Sequence, residues 1–321
     1  MSRPQRTLAV DFGGTKLAVG CVDEQLRVLH KTVTPSVTSS QEACLADLYA
    51  RLDETLAVCE PVEAVGIGIA SMVDFARGRV VESTNLPLSD VPLGAILAER
   101  YGLPVFVDND ATVACIAEHG WGAGVGVSEM LMLTIGTGIG GGVICRGRIY
   151  RGFSGSAGEL GHIVIDQDGP PCAGKCPNHG CLEAFVSGRT LRAHARRLAD
   201  ERPESGFALA AARGERLDGA LVTRLARSGD PDAIAVYREL GRLLGVGLTS
   251  LVNAFNPELV VVGGAVAAAG DLLLEPARRE IARRALRPQR DEVRVVPAKF
   301  AADAGLLGAA ALALTEATAS R

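Results

Sequence analysis

The strongest constraint on the fold is a pattern that occurs twice, in which an apolar strand runs into a glycine hairpin and continues as a second strand. The first copy is Leu8-Ala-Val-Asp11-Phe-Gly13-Gly14-Thr15-Lys16-Leu-Ala-Val-Gly, and the second is Met130-Leu-Met-Leu-Thr134-Ile-Gly136-Thr137-Gly138-Ile-Gly-Gly-Gly-Val-Ile. Asp11 aligns with Thr134, and Gly13 aligns with Gly136. This weak internal duplication predicts two related domains that face each other across a cleft, with chance similarity of two hairpins as the alternative.

Alternating strand and helix patterns predict an α/β fold. In the first part they predict a three-stranded meander over 8–34, a helix over 41–59, a buried strand over 64–70, a helix over 93–101 and a strand from 105. In the second part they predict helices over 189–198, 217–227 and 232–255, a strand over 259–262 and a helical tail over 303–317. The predicted domains are residues 1–115, on which a C-terminal helix over 303–321 packs, and residues 116–302.

Charge and hydropathy exclude several classes of partner. The formal net charge is −4, so the chain lacks the basic surface expected for binding nucleic acid or an anionic membrane. It shows no signal-peptide core and no run of about 18 apolar residues of the kind that spans a membrane. We therefore expect a cytoplasmic protein whose eight cysteines are reduced, so that a close group of cysteines indicates a metal site rather than disulfides.

The first hairpin, Asp11-Phe-Gly13-Gly14-Thr15-Lys16, is a candidate phosphate site. Glycines let backbone N–H groups approach an anion, while Thr15 and Lys16 add a hydroxyl and a positive charge. Asp11 would act on phosphate through a divalent cation or a water molecule. A tight hairpin without a ligand is the alternative, and the spacing is not that of a P-loop.

Two later glycine segments are also candidates. The run Gly136-Thr137-Gly138-Ile-Gly-Gly-Gly continues as a strand, so it does not fit the dinucleotide-binding motif, which needs a helix at that point. A hairpin that surrounds a phosphate fits it better. Gly263-Gly264 follows a strand and precedes a helix, where it could accept a nucleoside or allow close packing.

Asp108-Asn109-Asp110 lies at the predicted junction of a strand and a helix. Asn and Asp are favoured helix N-caps, which is one interpretation. The other is that Asp110 is a general base for a substrate hydroxyl while Asn109 holds a neighbouring hydroxyl, since ligands of α/β proteins bind at the carboxyl ends of strands.

A histidine and three cysteines fall within twenty residues: His162, Cys172, Cys176 and Cys181. Three thiolates and one imidazole form a closed tetrahedral set, which predicts a structural zinc ion without an open position for water. The intervening glycines and prolines show no core periodicity. Zinc would order the loop 159–183 and fix Glu159 and Glu183 next to it.

Together these motifs resemble the ROK family of sugar kinases, and the repressors built on the same core, over essentially the whole chain. The segments that carry the resemblance are Asp11-Phe-Gly-Gly-Thr-Lys16, Gly66-Ile-Gly68-Ile-Ala, Asn85-Leu-Pro, Asn109-Asp110, Gly136-Thr-Gly138, Glu159-Leu-Gly-His162 and Gly180-Cys181-Leu-Glu183. The chain departs from the family pattern by two extra residues between Cys172 and Cys176, which leaves open whether Cys172 is a ligand. Ala70-Ser71 also replaces the usual Pro-Gly.

The resemblance implies two actin/hexokinase-like (ribonuclease H-like) domains that bind ATP–Mg²⁺ and a hexose, in a homodimer or higher homo-oligomer. Asp110 would be the catalytic base. The implied sugar ligands are Gly68, Asn85, Asn109, Asp110, Glu159, His162 and Glu183. The two hairpins would hold the ATP phosphates, and Gly263-Gly264 would lie near the nucleoside.

The expected activity is phosphorylation of a hexose at its 6-hydroxyl, with glucose first and fructose, mannose or an N-acetylhexosamine as alternatives. The donor could be ATP or polyphosphate. A sugar-responsive repressor is a remote alternative, because only six residues precede the first predicted strand. A zinc-ordered binding protein without turnover is the third.

Overall fold

The computed structural model describes residues 5–59 and 61–319. These residues form two compact units. Unit 1 lies within residues 1–126, 142–158 and 302–321, and unit 2 lies within 127–141 and 159–301.

The elements alternate along the chain as an α/β fold requires. The strands are β1 (Arg6–Phe12), β2 (Lys16–Asp23), β3 (Val28–Pro35), β4 (Ala64–Ile69), β5 (Ser71–Asp74), β6 (Arg79–Ser83), β7 (Ser89–Val91), β8 (Val105–Asn109), β9 (Met130–Ile135), β10 (Ile139–Cys145), β11 (Arg148–Ile149), β12 (Leu259–Gly263) and β13 (Arg294–Pro297). The helices are α1 (Gln41–Cys59), α2 (Leu93–Tyr101), α3 (Asp110–Trp121), α4 (Leu182–Phe185), α5 (Gly188–Glu201), α6 (Gly206–Ala212), α7 (Gly219–Arg227), α8 (Pro231–Phe255), α9 (Asp271–Arg284), α10 (Gln289–Glu292) and α11 (Ala304–Ala319).

Unit 1 is built on a five-stranded sheet of order β3-β2-β1-β4-β8, in which β1 is antiparallel to β2 and parallel to β4. Alternate residues of β1 (Leu8, Val10 and Phe12) share an apolar cluster with Leu48 and Leu52 of α1. Helix α11 packs on β1, β4 and α3. A side chain at Gly66 of β4 would collide with the Ala309 carbonyl, so glycine is required for this close approach.

The division of the chain differs from the predicted boundary near residue 115. Helix α3 contacts α11, β4 and β8, which keeps its whole length in unit 1, and the first break falls after Gly126. The chain returns to unit 1 over residues 142–158. A three-stranded sheet of order β5-β6-β7 is a further element that the sequence patterns did not predict.

The second five-stranded sheet has the order β11-β10-β9-β12-β13, with β9, β12 and β13 parallel. Unit 2 contains the strands β9, β12 and β13 and the helices α4 to α10. Helices α8 and α9 pack closely through Gly241 and Gly245. Among the described residues, no helix is long and apolar enough to cross a membrane.

Candidate active site and metal-binding cluster

The Asp11–Lys16 hairpin connects β1 to β2 in unit 1. Its turn is closed by the Gly13 N–H, which donates to the Lys16 carbonyl at 3.0 Å. The Asp11 carboxylate lies 3.0 Å from the Lys16 ammonium, and its side chain is 13% exposed. A partly exposed carboxylate of this kind, at the end of a strand, suits a divalent cation such as Mg²⁺.

Asn85 lies directly against this hairpin. A side chain on Gly14 would collide with the Asn85 side chain, so glycine is needed here for packing as well as for any approach of phosphate. The start of α11 borders the same carboxylate, because a Cβ on Gly305 would lie 2.5 Å from Asp11 Cγ. The structure therefore brings Asp11, Lys16 and Asn85 together.

Asn109 and Asp110 lie next to each other where α3 begins, Asn109 as the N-cap and Asp110 as the first helical residue. Asn109 is the N-cap, since its Oδ1 accepts from the N–H groups of Ala111 at 2.9 Å and Thr112 at 3.2 Å. Its Nδ2 donates to the Ser71 carbonyl at 3.3 Å, which leaves the second amide hydrogen for a ligand. Asp110 is the first helical residue, and its Oδ1 lies 2.9 Å from the Ala111 nitrogen. Asn109 is thus the N-cap, and the Asp110 carboxylate shares the Ala111 N–H with it.

Gly68 lies beside this helix start. It is buried, and a Cβ there would lie 2.5 Å from Val113 Cγ2 and 3.7 Å from the Asp110 Cα. The missing side chain lets α3 approach β4, which places Asp110 at the edge of the sheet. Gly68 thus has a packing role that the predicted sugar contact did not include.

In unit 2, the Gly136–Gly138 hairpin is braced by Glu183. The Glu183 carboxylate is buried, and its Oε2 accepts from the Ile139 N–H at 2.7 Å. A side chain on Gly138 would collide with that oxygen. Arg189 lies 3.7 Å from the other oxygen of Glu183. Sequence reasoning placed Glu183 on the sugar and missed this contact, because its partner lies 44 residues earlier in the chain.

Strand β12 ends at Gly263, and Gly264 follows it beside the same hairpin. Gly264 has a φ of 86°, and a side chain there would collide with the backbone of Ile135, the last residue of β9. Since β9 and β12 are parallel neighbours, both candidate nucleotide segments of unit 2 lie at the carboxyl ends of adjacent strands. Ligands of α/β proteins bind at such ends.

The His-Cys₃ cluster (His162, Cys172, Cys176 and Cys181) also lies in unit 2. One ligand atom from each residue falls within 4.8 Å of all the others. The Cys176 and Cys181 sulfurs are 3.8 Å apart, and the Cys172 sulfur is 3.5 Å from His162 Nδ1. Tetrahedral zinc with bonds of about 2.3 Å to sulfur and 2.0–2.1 Å to nitrogen implies edges of about 3.8 and 3.6 Å. The donor set and its spacing therefore fit zinc, and Cys172 converges with the others despite the longer interval.

The protonation of the thiols depends on this crowding. Burial raises the pKa of Cys172 to about 12, and the neighbouring thiols of Cys181 and Cys176 add to the rise. Burial likewise raises the pKa of Cys181. A metal ion that binds here must displace protons from these thiols, so its affinity depends on pH.

His162 has a different neighbour on each side of its ring. Nδ1 faces the Cys172 sulfur, whereas Nε2 lies 3.7 Å from an oxygen of Glu159. The Glu159 side chain is 57% exposed. One ring nitrogen therefore faces the other residues of the His-Cys₃ cluster, and the other lies beside an accessible carboxylate.

These units have the α/β, actin/hexokinase-like fold in its two-domain form. The chain belongs to the ROK family, whose sequence profile matches residues 7–316.

Similar proteins include kinases and regulators. A glucokinase of Streptomyces coelicolor is 38% identical over 316 residues, which cover 96% of this chain and 97% of the relative. The crystal structure of a ROK family glucokinase from Streptomyces griseus, in complex with glucose and AMPPNP, superposes with a TM-score of 0.86 at 37% identity and covers 97% of this chain and 99% of that one. A putative xylose repressor of Caldicellulosiruptor is 34% identical over 293 residues, covering 90% of this chain and 73% of the relative.

Proposed function

We propose that this chain is an ATP-dependent glucokinase, which transfers the γ-phosphoryl group of ATP to the 6-hydroxyl of glucose. The observation that carries the proposal is the Asp110 carboxylate, which stands at the carboxyl end of β8 while Asn109 caps the helix. The similarity to glucokinases over nearly the whole chain supports glucose as the acceptor.

Asp110 acts as the general base. It accepts the proton of the sugar hydroxyl as that oxygen attacks the phosphorus, and a base of this kind contributes about 10²- to 10⁴-fold in rate. Most of the remaining acceleration comes from positioning and from charge stabilisation, because phosphoryl transfer asks little covalent chemistry of the protein.

The ATP phosphates bind to backbone N–H groups of the Asp11–Lys16 hairpin and the Gly136–Gly138 hairpin. Asp11 would hold Mg²⁺, which would neutralise phosphate charge when bound with ATP. Lys16, whose ammonium lies 3.0 Å from the Asp11 carboxylate, would add a positive charge for the phosphates. Gly263 and Gly264 accept the nucleoside.

The residues proposed to hold the sugar are Asn85, Asn109 through its second amide hydrogen, Asp110, Glu159, His162 through Nε2, and Glu183. Zinc in the His-Cys₃ cluster is structural, since four protein ligands leave no position for substrate. We expect a homodimer, with a mass in solution about twice the 33.4 kDa of one chain.

A kinase assay across sugars and donors tests this proposal. The acceptors are glucose, mannose, fructose and N-acetylglucosamine, and the donors are ATP and polyphosphate. Sugar phosphate formation is measured with both donors, and ADP release with ATP. We expect the highest kcat/KM with glucose and ATP. A higher kcat/KM with another sugar would assign the chain to a different sugar kinase activity of the same family. No turnover with any pair of sugar and donor would reject the proposed kinase activity.

The repressor relatives supply a second candidate, because the putative xylose repressor is 34% identical to this chain. Its test is a DNA-binding measurement with and without sugar. The kinase is favoured because Asp11, Lys16 and Asp110 are all present, and a DNA-binding role alone would not require them.

A further inference from the structure

Asp108, which the sequence presented as a neighbour of the base, is an almost completely buried acid. Its side chain is 1% exposed on β8, where it pairs in register with Gly68 of β4. A carboxylate removed from water in this way is costly unless it is paired and hydrogen-bonded. One residue outside the predicted site supplies both the ion pair and a hydrogen bond to this carboxylate.

That residue is Arg151, in the segment that follows β11. Its Nε donates to Asp108 Oδ2 at 2.8 Å, and its Nη2 donates to Glu316 of α11 at 3.0 Å. The guanidinium also lies over the Phe75 ring, 3.5 Å from the centroid, and its side chain is 18% exposed. Three contacts from different segments fix the position of this guanidinium.

The other carboxylate oxygen of Asp108 is hydrogen-bonded to the residue that precedes the proposed base. Asp108 Oδ1 accepts from the Asn109 N–H at 2.9 Å, and Asn109 in turn caps the helix that Asp110 begins. A continuous series of hydrogen bonds therefore runs from Arg151 through Asp108 to the turn that carries Asp110.

We propose that Arg151 is a positioning residue for phosphoryl transfer: by holding Asp108 as a carboxylate, it fixes the Asn109 turn and hence the direction of the Asp110 side chain. This rests on the proposed role of Asp110. Arg151 touches no reacting atom in this scheme, and its effect falls on kcat rather than on sugar binding. Displacing a base by about 1 Å can cost roughly 100-fold in rate.

Because charged groups surround Asp108, the proposed role of Arg151 predicts a change in how kcat depends on pH. Burial raises the pKa of the Asp108 carboxyl, Arg151 opposes the rise through its charge and hydrogen bond, and Glu316 adds to it. Without Arg151 the pKa of Asp108 rises further, so protonation disrupts the turn at a higher pH. The acidic limb of the kcat profile then moves to higher pH.

The experiment compares Arg151→Gln, Asp108→Asn and the double variant with wild type. The control is Arg100→Gln, which removes an exposed ion pair with Asp53 elsewhere in unit 1. We expect Arg151→Gln to lose at least about tenfold in kcat with little change in glucose affinity, and its acidic limb to shift upward. The double variant, whose two amides can pair without charge, should lose less than the product of the single losses and lack the shifted limb.

Amide hydrogen exchange at residues 109–112 gives a readout that does not depend on activity, and we expect it to accelerate in Arg151→Gln but not in Arg100→Gln. The inference is overturned if Arg151→Gln only lowers the melting temperature, with kcat, pH profile and exchange matching the control. If Arg151→Gln does not fold, the double variant decides, because it removes the unpaired buried charge. If wild type turns over no sugar, the proposed function fails, while the exchange comparison still tests the anchoring of the turn.

Discussion

At the scale of single residues, the site depends on glycines, because neighbouring groups occupy the space that a side chain would fill. Gly138 leaves room for the buried Glu183 carboxylate, whereas Gly136 in the same hairpin has no atom within 4 Å of where a Cβ would stand. A substitution at Gly138 therefore tests the packing of the hairpin against Glu183, whereas one at Gly136 adds a side chain without disturbing that packing.

Gly138→Ala should therefore lower the melting temperature and raise the KM for ATP, because the new methyl group displaces Glu183 from the Ile139 N–H. Gly136→Ala is the matched control. It should leave the melting temperature close to that of wild type, since nothing crowds the position. Thermal unfolding and steady-state kinetics measure both variants. Equal destabilisation by the two alanines would show that Glu183 does not brace the hairpin.

Sequence patterns identified residue types well but not their partners. Asp110 and Asn109 were recognisable from their place after a strand, yet which of them caps the helix required the hydrogen bonds of Asn109. The Arg151–Asp108 pair joins residues 43 positions apart, and no local pattern marks Arg151.

At the scale of elements, the His-Cys₃ cluster lies within the loop 159–183, where a bound zinc ion would order the chain. We expect about one zinc ion per chain, and Cys181→Ser and Cys172→Ser should each lose it with a fall in melting temperature. Cys145→Ser, a half-exposed cysteine outside the cluster, should retain it. Metal analysis and the d–d absorption of the cobalt-substituted protein measure the outcome. Zinc retained in Cys172→Ser would remove that residue from the ligand set.

A second prediction at this scale concerns α5. Burial lowers the pKa of His194, and the charge of Arg197 acts in the same direction, partly opposed by Glu239. The folded protein thus binds a proton at this ring less readily than the unfolded chain, whose histidine titrates near about 6.5. Stability supported by the neutral ring is present above that pH and is lost as the pH falls below it.

His194→Asn should therefore flatten the decline of the free energy of unfolding on acidification, measured by denaturant unfolding from pH 7.5 to 5, a range set by the histidine titration. His30→Asn, at an exposed position on β3, is the control and should leave the decline unchanged. An unaltered pH dependence in His194→Asn would show that other groups are responsible.

The helices with regular apolar spacing could be predicted closely. The bounds of α1 and α2 match the expected 41–59 and 93–101, because buried residues such as Leu48 and Leu52 recur at one helix turn. The sheet of β5, β6 and β7 was missed because its strands have three to five residues, too short for an alternating pattern to emerge. Helix α6 was missed because its seven residues are too few for a helical spacing of apolar residues to be recognised.

At the scale of the whole molecule, the repeated strand–hairpin–strand pattern corresponds to one five-stranded sheet for each copy. The hairpin of the first copy joins β1 to β2, and that of the second joins β9 to β10. In each sheet the first strand of the pair has a parallel neighbour on its other side, β4 or β12. The sequence duplication is thus a duplication of sheet topology, which supports the prediction of two related domains.

The proposed chemistry lies with Asp110. In the proposed mechanism, the glycine hairpins and zinc in the His-Cys₃ cluster hold groups in position. Loss of the Asp110 carboxylate should therefore lower turnover while leaving the fold in place.

The most direct test is Asp110→Asn, with kcat measured in the glucose assay and the glucose dissociation constant measured by calorimetry on the same preparation. We expect a loss of at least about 100-fold in kcat, because the amide cannot accept the hydroxyl proton, with glucose affinity close to that of wild type. Near-normal turnover in Asp110→Asn would contradict the assignment of the base.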